Sequence, residues 1–168
     1  MNLSILVRTL VYASLFIGSL LIFVPARLLS WSGIVHPAEP GIIQAVGLSV
    51  GTAGALIALW CILSFSLAGR GTPAPFDPPQ RLVVRGPYRF MRNPMYIGAA
   101  LALAGASLFY GSIFLLAYAS IFLLVCHLFV IGYEEPTLRR TFGSDYETYC
   151  SKVNRWWPNI QASRGKNQ

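Results

Sequence analysis

Long uncharged apolar runs dominate the chain and predict membrane-spanning helices. Segment 5–24 is apolar apart from Arg8 and a few small polar residues, and segments 42–68 and 95–133 contain no Asp, Glu, Lys or Arg. A span needs roughly 20 apolar residues, so the third run is long enough for two helices, with a turn at Tyr110-Gly111-Ser112. The pattern therefore predicts four spans, at about 4–24, 42–68, 94–109 and 112–133.

Composition agrees with this pattern and narrows the class of protein. The chain is 55% hydrophobic and only 11% charged, whereas soluble domains carry about 25% charged residues. Three scattered cysteines, Cys61, Cys126 and Cys150, match neither a disulfide framework nor a metal-ligand spacing. We expect an all-α integral membrane protein, with residues 1–168 forming a single domain that needs no metal.

Lys and Arg are distributed unevenly among the predicted loops. Loop 69–93 carries five arginines and the tail after residue 133 carries six basic residues, whereas the loop between the first two spans has only Arg27. Because basic loops stay on the cytoplasmic side, both termini and loop 69–93 should be cytoplasmic. The net charge of +7 then reflects topology and attraction to membrane lipids rather than nucleic-acid binding. We expect a multi-pass protein of a bacterial inner membrane rather than an organelle membrane.

Polar residues cluster at the cytoplasmic end of the last two predicted spans. Asn93 followed by Pro94 is a helix-start pattern, in which Asn caps the helix and Pro occupies its first turn. The free N–H groups of such a helix end suit a carboxylate or phosphate. Span four ends at Glu134 and Glu135, and a hairpin of spans three and four brings these carboxylates close to the arginines that precede span three. Interfacial salt bridging is the structural alternative to a binding site.

The tail also has a helical pattern. Residues 134–158 are predicted to form an amphipathic helix, because one face collects aromatic and apolar residues at steps of four and three: Phe142, Tyr146, Tyr149, Val153 and Trp156. Such a helix either rests on the membrane surface or covers a cytoplasmic site.

Two ordered motifs carry a resemblance to a known family. "GPYRFMRNPMYIG", an apolar hairpin and "EEPTLRRTFGSDYETYCSKVNRWWP" together resemble the superfamily of isoprenylcysteine carboxyl methyltransferases and phospholipid methyltransferases, over residues 80–158. The resemblance implies a membrane methyltransferase that uses S-adenosylmethionine, similar to protein-S-isoprenylcysteine O-methyltransferase. It also implies a lipophilic or lipid-like acceptor and a cytoplasmic pocket beneath the hairpin, with loop 69–93 as the cofactor-binding loop.

The resemblance assigns site residues one by one. Cofactor contacts are implied for Gln80, Arg81, Leu82, Val83, Tyr88, Asn93, Pro94, Met95, Tyr96, Glu134 and Glu135. The candidate catalytic residues are Arg92, Glu134 and His127. His127 is a candidate for a different reason, because ionisable groups at membrane depth are functional candidates. It is the candidate base if the acceptor must lose a proton. A neutral His127 that bonds a neighbouring helix is the alternative.

Two departures from the family pattern restrict the mechanism. Asn93 stands where the family has His, and an amide cannot titrate near neutrality. Val130 stands where the isoprenylcysteine enzymes have an Arg that contacts the substrate carboxylate, which argues against a prenylcysteine acceptor. Two other functions stay open: an NADPH-dependent membrane reductase similar to the sterol reductases, and a non-catalytic membrane scaffold.

Overall fold

The computed structural model describes residues 15, 17–34, 39–68 and 82–159. All regular structure within these ranges is helical. The α-helices are α1 Val24–Trp31, α2 Ile42–Ala68, α3 Pro94–Tyr110, α4 Ile113–Phe129, α5 Glu135–Phe142 and α6 Ser144–Lys152. A π-helical segment, Ile17–Phe23, precedes α1, a second one, Val130–Glu134, joins α4 to α5, and a 3₁₀ turn, Gly86–Arg89, precedes α3. Most of predicted span 4–24 lies outside the described residues, as do Gln80 and Arg81.

Small residues bring α2 and α3 into backbone contact. A Cβ at Gly54 would lie 2.5 Å from the backbone nitrogen of Ala102, and one at Gly98 would lie 2.8 Å from the nitrogen of Ala58. A Cβ at Gly105 would collide with the backbone of Gly51. Membrane helices lack a hydrophobic driving force between them and depend on such close packing. The glycines of α2 therefore serve packing against α3.

The hairpin of α3 and α4 turns at the position that the sequence indicates. Gly111 ends α3 in a left-handed conformation (φ 63°), which glycine adopts at little cost. Ser112 then caps α4, with its side chain accepting a hydrogen bond from the N–H of Leu115. The two helices share a buried core that includes Leu103 and Phe122. This core fixes the relative positions of the hairpin's two cytoplasmic ends, where the candidate site lies.

Two described helical segments, Ile42–Ser64 and Ile113–Phe142, are long and apolar enough to cross a membrane. Two shorter apolar helices, Gly18–Trp31 and Pro94–Tyr110, accompany them. Large apolar side chains such as Leu56 and Leu124 are exposed along the long helices, as lipid contact requires. The total of four spans stays a prediction.

The tail differs from the single helix predicted over 134–158. Gly143 (φ 49°) separates α5 from α6, and α6 ends at Lys152, after which Val153 is extended (φ −126°). Tyr146, Tyr149 and Val153 are buried together, with Leu82 packed against them. The aromatic face therefore packs on the protein's own loop.

Candidate active site

A half-buried carboxyl group and two tyrosines meet where the hairpin ends. The hydroxyl of Tyr96, in the first turn of α3, donates a hydrogen bond to Oε2 of Glu134 (3.1 Å). Tyr88 from the 3₁₀ turn is 8% exposed and hydrogen-bonds Cys61 of α2. Burial raises the pKa of Tyr88, and the neighbouring Cys61 and Glu134 raise it further, so its hydroxyl stays protonated at neutral pH. We call Tyr88, Tyr96 and Glu134 the tyrosine–glutamate cluster.

The π-helical turn Val130–Glu134 determines which way Glu134 faces. Residues 127 and 134 are seven apart, about two turns of an α-helix, and would share one face of a regular helix. A π-helical turn holds more residues per turn and rotates everything that follows it. Accordingly, Glu134 bonds Tyr96 of α3, whereas His127 bonds Trp156 of the tail. The sequence carries no clear signal for this rotation.

Glu135 lies in a cluster of arginines from three parts of the chain. Its side chain is 4% exposed and accepts two hydrogen bonds from Arg155, Nε to Oε1 at 2.6 Å and Nη2 to Oε2 at 3.0 Å. Nη1 of Arg92 lies 3.4 Å from Oε1, and Nη1 of Arg139 lies 3.6 Å from Oε2. We call these residues the arginine cluster. The two parallel hydrogen bonds between Arg155 and Glu135 form a bidentate ion pair, which is a strong and directional contact.

The segment after α6 lies along the loop that precedes α3. The N–H of Arg92 donates to the carbonyl of Asn154 (2.9 Å), and the N–H of Asn159 donates to the carbonyl of Phe90 (2.9 Å). We call residues 153–159 the tail strap. Just before it, the Tyr149 hydroxyl donates to the carbonyl of Tyr88 at 2.6 Å. The strap thus covers the loop that carries the predicted cofactor residues.

Asn93 occupies the N-cap position of α3, but the predicted side-chain cap is absent. Its amide Nδ2 instead donates to the carbonyl of Arg155 (3.3 Å), and its backbone N–H donates to the same carbonyl (3.3 Å). The Asn93 side chain therefore bonds the tail strap instead of capping the helix. Among the described side chains none caps this end of α3, so its first amides can still face a bound anion.

His127 lies on α4 against the tail strap. Its Nδ1 accepts a hydrogen bond from the Trp156 indole N–H (3.1 Å), and the two ring centroids are 5.8 Å apart. In a neutral imidazole whose Nδ1 accepts, the proton lies on Nε2. Acting as a base therefore requires the Trp156 hydrogen bond to break, because it occupies Nδ1 and because Nδ1 can no longer accept it if the proton moves there from Nε2.

The remaining predicted cofactor residues pack within the protein. Val83 is buried with Cys61 and Tyr88, and Met95 packs against the same group. Pro94 is fully buried at the start of α3. Among the residues with known positions, no group of three His, Cys, Asp or Glu side chains can hold a metal.

The site offers both an oxygen acceptor and a cationic donor to a bound ligand. In the described part of the chain, the Tyr96 hydroxyl is the hydrogen-bond partner of Glu134, so Oε1 can accept from a ribose hydroxyl or an ammonium. Nε of Arg92 is buried without a hydrogen-bond partner in the same part of the chain. Buried polar groups are normally paired, so an unpaired one calls for an explanation such as a bound ligand. One carboxyl oxygen and one guanidinium N–H are therefore available within the same region.

These features define a helical membrane protein with a polar site at one end of an apolar hairpin. The chain belongs to the phospholipid methyltransferase family, whose family model matches residues 42–145. That range contains the whole tyrosine–glutamate cluster and Glu135. Membership implies methyl transfer to a lipid-like substrate. No significant match was found among curated proteins or among solved structures.

Proposed function

We propose that the protein transfers a methyl group from S-adenosylmethionine to a lipid-like acceptor at the cytoplasmic membrane face. The observation that carries this proposal is the Tyr96–Glu134 hydrogen bond, which holds a carboxylate at the end of a strongly apolar helix. Polar groups at such positions are costly and are retained mainly for function. The cofactor, when bound, supplies a methyl group activated by its sulfonium charge.

The residues of the site have different roles in this proposal. Glu134 holds ribose hydroxyls or an ammonium group of the cofactor, and Tyr96 orients that carboxylate. Arg92 and the uncapped start of α3 face the cofactor's carboxylate. The rings of Tyr88 and Tyr96 are available for a cation–π contact with the sulfonium, worth about 0.5–2 kcal/mol. The protein's contribution to the reaction is then alignment and exclusion of water.

The acceptor is proposed to be a lipid-like molecule that needs no cationic partner at position 130. Val130 is 1% exposed and stands where a carboxylate-binding Arg would be needed for a prenylcysteine. If the acceptor is an anion or a free amine, the reaction needs no base. If it must lose a proton, His127 is the candidate base, with Trp156 released from its Nδ1.

Competitive cofactor binding tests this function. Purified protein in detergent is titrated with radiolabelled S-adenosylmethionine, and unlabelled S-adenosylhomocysteine or NADPH is then added. We expect S-adenosylhomocysteine to displace the label and NADPH to leave it bound. Displacement by NADPH would favour the reductase alternative. Folded protein that binds neither cofactor would favour the scaffold.

A further inference from the structure

Glu135 differs from its neighbour Glu134 in what its carboxylate contacts. Both oxygens of Glu135 accept hydrogen bonds from Arg155. Arg92 and Arg139 flank the same oxygens at 3.4 and 3.6 Å. A carboxylate with four N···O contacts within 3.6 Å and a side chain only 4% exposed has little capacity left for a cofactor. Glu134, in contrast, bonds a single tyrosine hydroxyl within the described residues.

The partners of Glu135 lie on segments that are distant in sequence. Arg155 belongs to the tail strap, Arg92 to the loop before α3, and Glu135 itself begins α5. The Glu135 side chain therefore connects the hairpin end, the loop and the strap. Breaking a buried ion pair by removing one partner leaves an uncompensated charge and is strongly destabilising. Loss of Glu135 should accordingly release the strap.

The strap in turn contacts the loop residues that are predicted to bind the cofactor. Asn93 bonds the carbonyl of Arg155 through both its backbone and its side chain. Arg92 bonds the carbonyl of Asn154 through its backbone, and its guanidinium donates to the thiol of Cys150. Tyr149, just before the strap, bonds the carbonyl of Tyr88. Detachment of the strap would therefore remove the supports of Arg92 and Asn93 together.

We propose that Glu135 is a positioning residue that does not contact the cofactor. It fastens the tail strap to the loop through Arg155 and Arg92, and the fastened strap holds the cofactor-binding wall in place. The positioning role rests on the proposed function, because it assumes that the loop binds the cofactor. The attachment of the strap is independent of that assumption.

Limited chymotrypsin digestion measures attachment of the strap. Cleavage after Trp156 requires the half-buried strap to detach, whereas the exposed Trp157 precedes Pro158 and is resistant. Glu135→Gln and Arg155→Gln should each speed the appearance of the new C-terminus about tenfold, as read by mass spectrometry. The double variant should be no faster than either single variant, because both break the same contact. Glu135→Asp, which keeps the charge, should restore at least part of the protection.

Two controls identify the cause of any change. Glu147→Gln removes an exposed partner of Arg139 and should leave cleavage unchanged. Glu134→Gln should weaken S-adenosylmethionine binding while the strap stays protected.

Titration with S-adenosylmethionine completes the test. Glu135→Gln should weaken cofactor binding several-fold, and excess cofactor should slow strap cleavage in the wild type by mass action. The proposal is overturned if Glu135→Gln weakens binding while cleavage stays at the wild-type rate, since Glu135 would then contact the cofactor directly. It is also overturned if the strap detaches without loss of affinity, or if neither property changes. Failure of the wild type to bind cofactor would defeat the proposed function, whereas the cleavage rates would still decide whether Glu135 attaches the strap.

Discussion

Gly105→Ala adds one methyl group where α2 and α3 are in backbone contact. The new Cβ would collide with the nitrogen and Cα of Gly51 and would lie 2.5 Å from the carbonyl oxygen of Gly47. Comfortable contacts between heavy atoms need about 3.5–4.0 Å. The colliding atoms all belong to backbone, so no side-chain rotation can relieve the clash, and the helices must separate by about 1 Å.

The expected cost follows from two opposing effects. Overpacking of this kind costs about 1–3 kcal/mol or more, and replacing a helical glycine by alanine returns roughly 0.5–1 kcal/mol. Because the colliding atoms belong to backbone, the upper end of the first range applies. We therefore expect a net loss of about 2–2.5 kcal/mol, which lowers the apparent unfolding temperature by about 4–10 °C for a chain of this size. Thermal unfolding in detergent at a fixed heating rate measures this shift.

Two glycines of the same protein provide matched controls. A Cβ at Gly51 would meet its nearest atom at 3.6 Å, an ordinary contact, and one at Gly132 would meet nothing within 4 Å. Gly51→Ala and Gly132→Ala should therefore leave the unfolding temperature unchanged or raise it slightly. If Gly105→Ala unfolds at the same temperature as Gly51→Ala, the close approach of α2 and α3 is wrong.

Two further predictions concern the tail. Tyr149→Phe removes the buried hydrogen bond to the Tyr88 carbonyl and should lower the free energy of unfolding by about 1–3 kcal/mol. Burial raises the pKa of Tyr149, so the contribution of this bond to stability should be constant from about pH 7 to 9 and should fall only above about pH 10. If His127 is a base, His127→Ala should abolish turnover without loss of cofactor affinity. Trp156→Phe, which frees Nδ1 of His127, should keep turnover. Equal loss of turnover in both variants would show instead that His127 holds the tail.

The sequence predicted the turn of the hairpin and the start of its first helix better than it predicted the tail. The turn at Tyr110–Ser112 follows from Gly111 between two apolar runs, and Pro94 begins α3 as its helix-start pattern indicates. These features depend on local backbone preferences, which a single sequence displays directly.

The arginine cluster was missed because the predicted tail helix was too long. Continued as an α-helix, the tail places Arg155 off the aromatic face, away from the protein. The chain instead becomes extended at Val153, and Arg155 reaches Glu135. Contacts across twenty residues depend on where a helix stops, and Lys152 carries no strong stop signal. The π-helical turn Val130–Glu134 is a second case, since the periodicity of the sequence does not indicate it.

The measurement that tests the central claim most directly is S-adenosylmethionine affinity in wild type and Glu134→Gln. Gln keeps the size of the side chain and can still accept the Tyr96 hydrogen bond, but it removes the charge that the cofactor is proposed to contact. Glu39→Gln, on an exposed loop residue, is the matched control. We expect wild type and Glu39→Gln to bind equally and Glu134→Gln to bind at least about tenfold more weakly, as loss of a charged hydrogen bond implies. Equal affinity in all three proteins would contradict the placement of the cofactor site at Glu134.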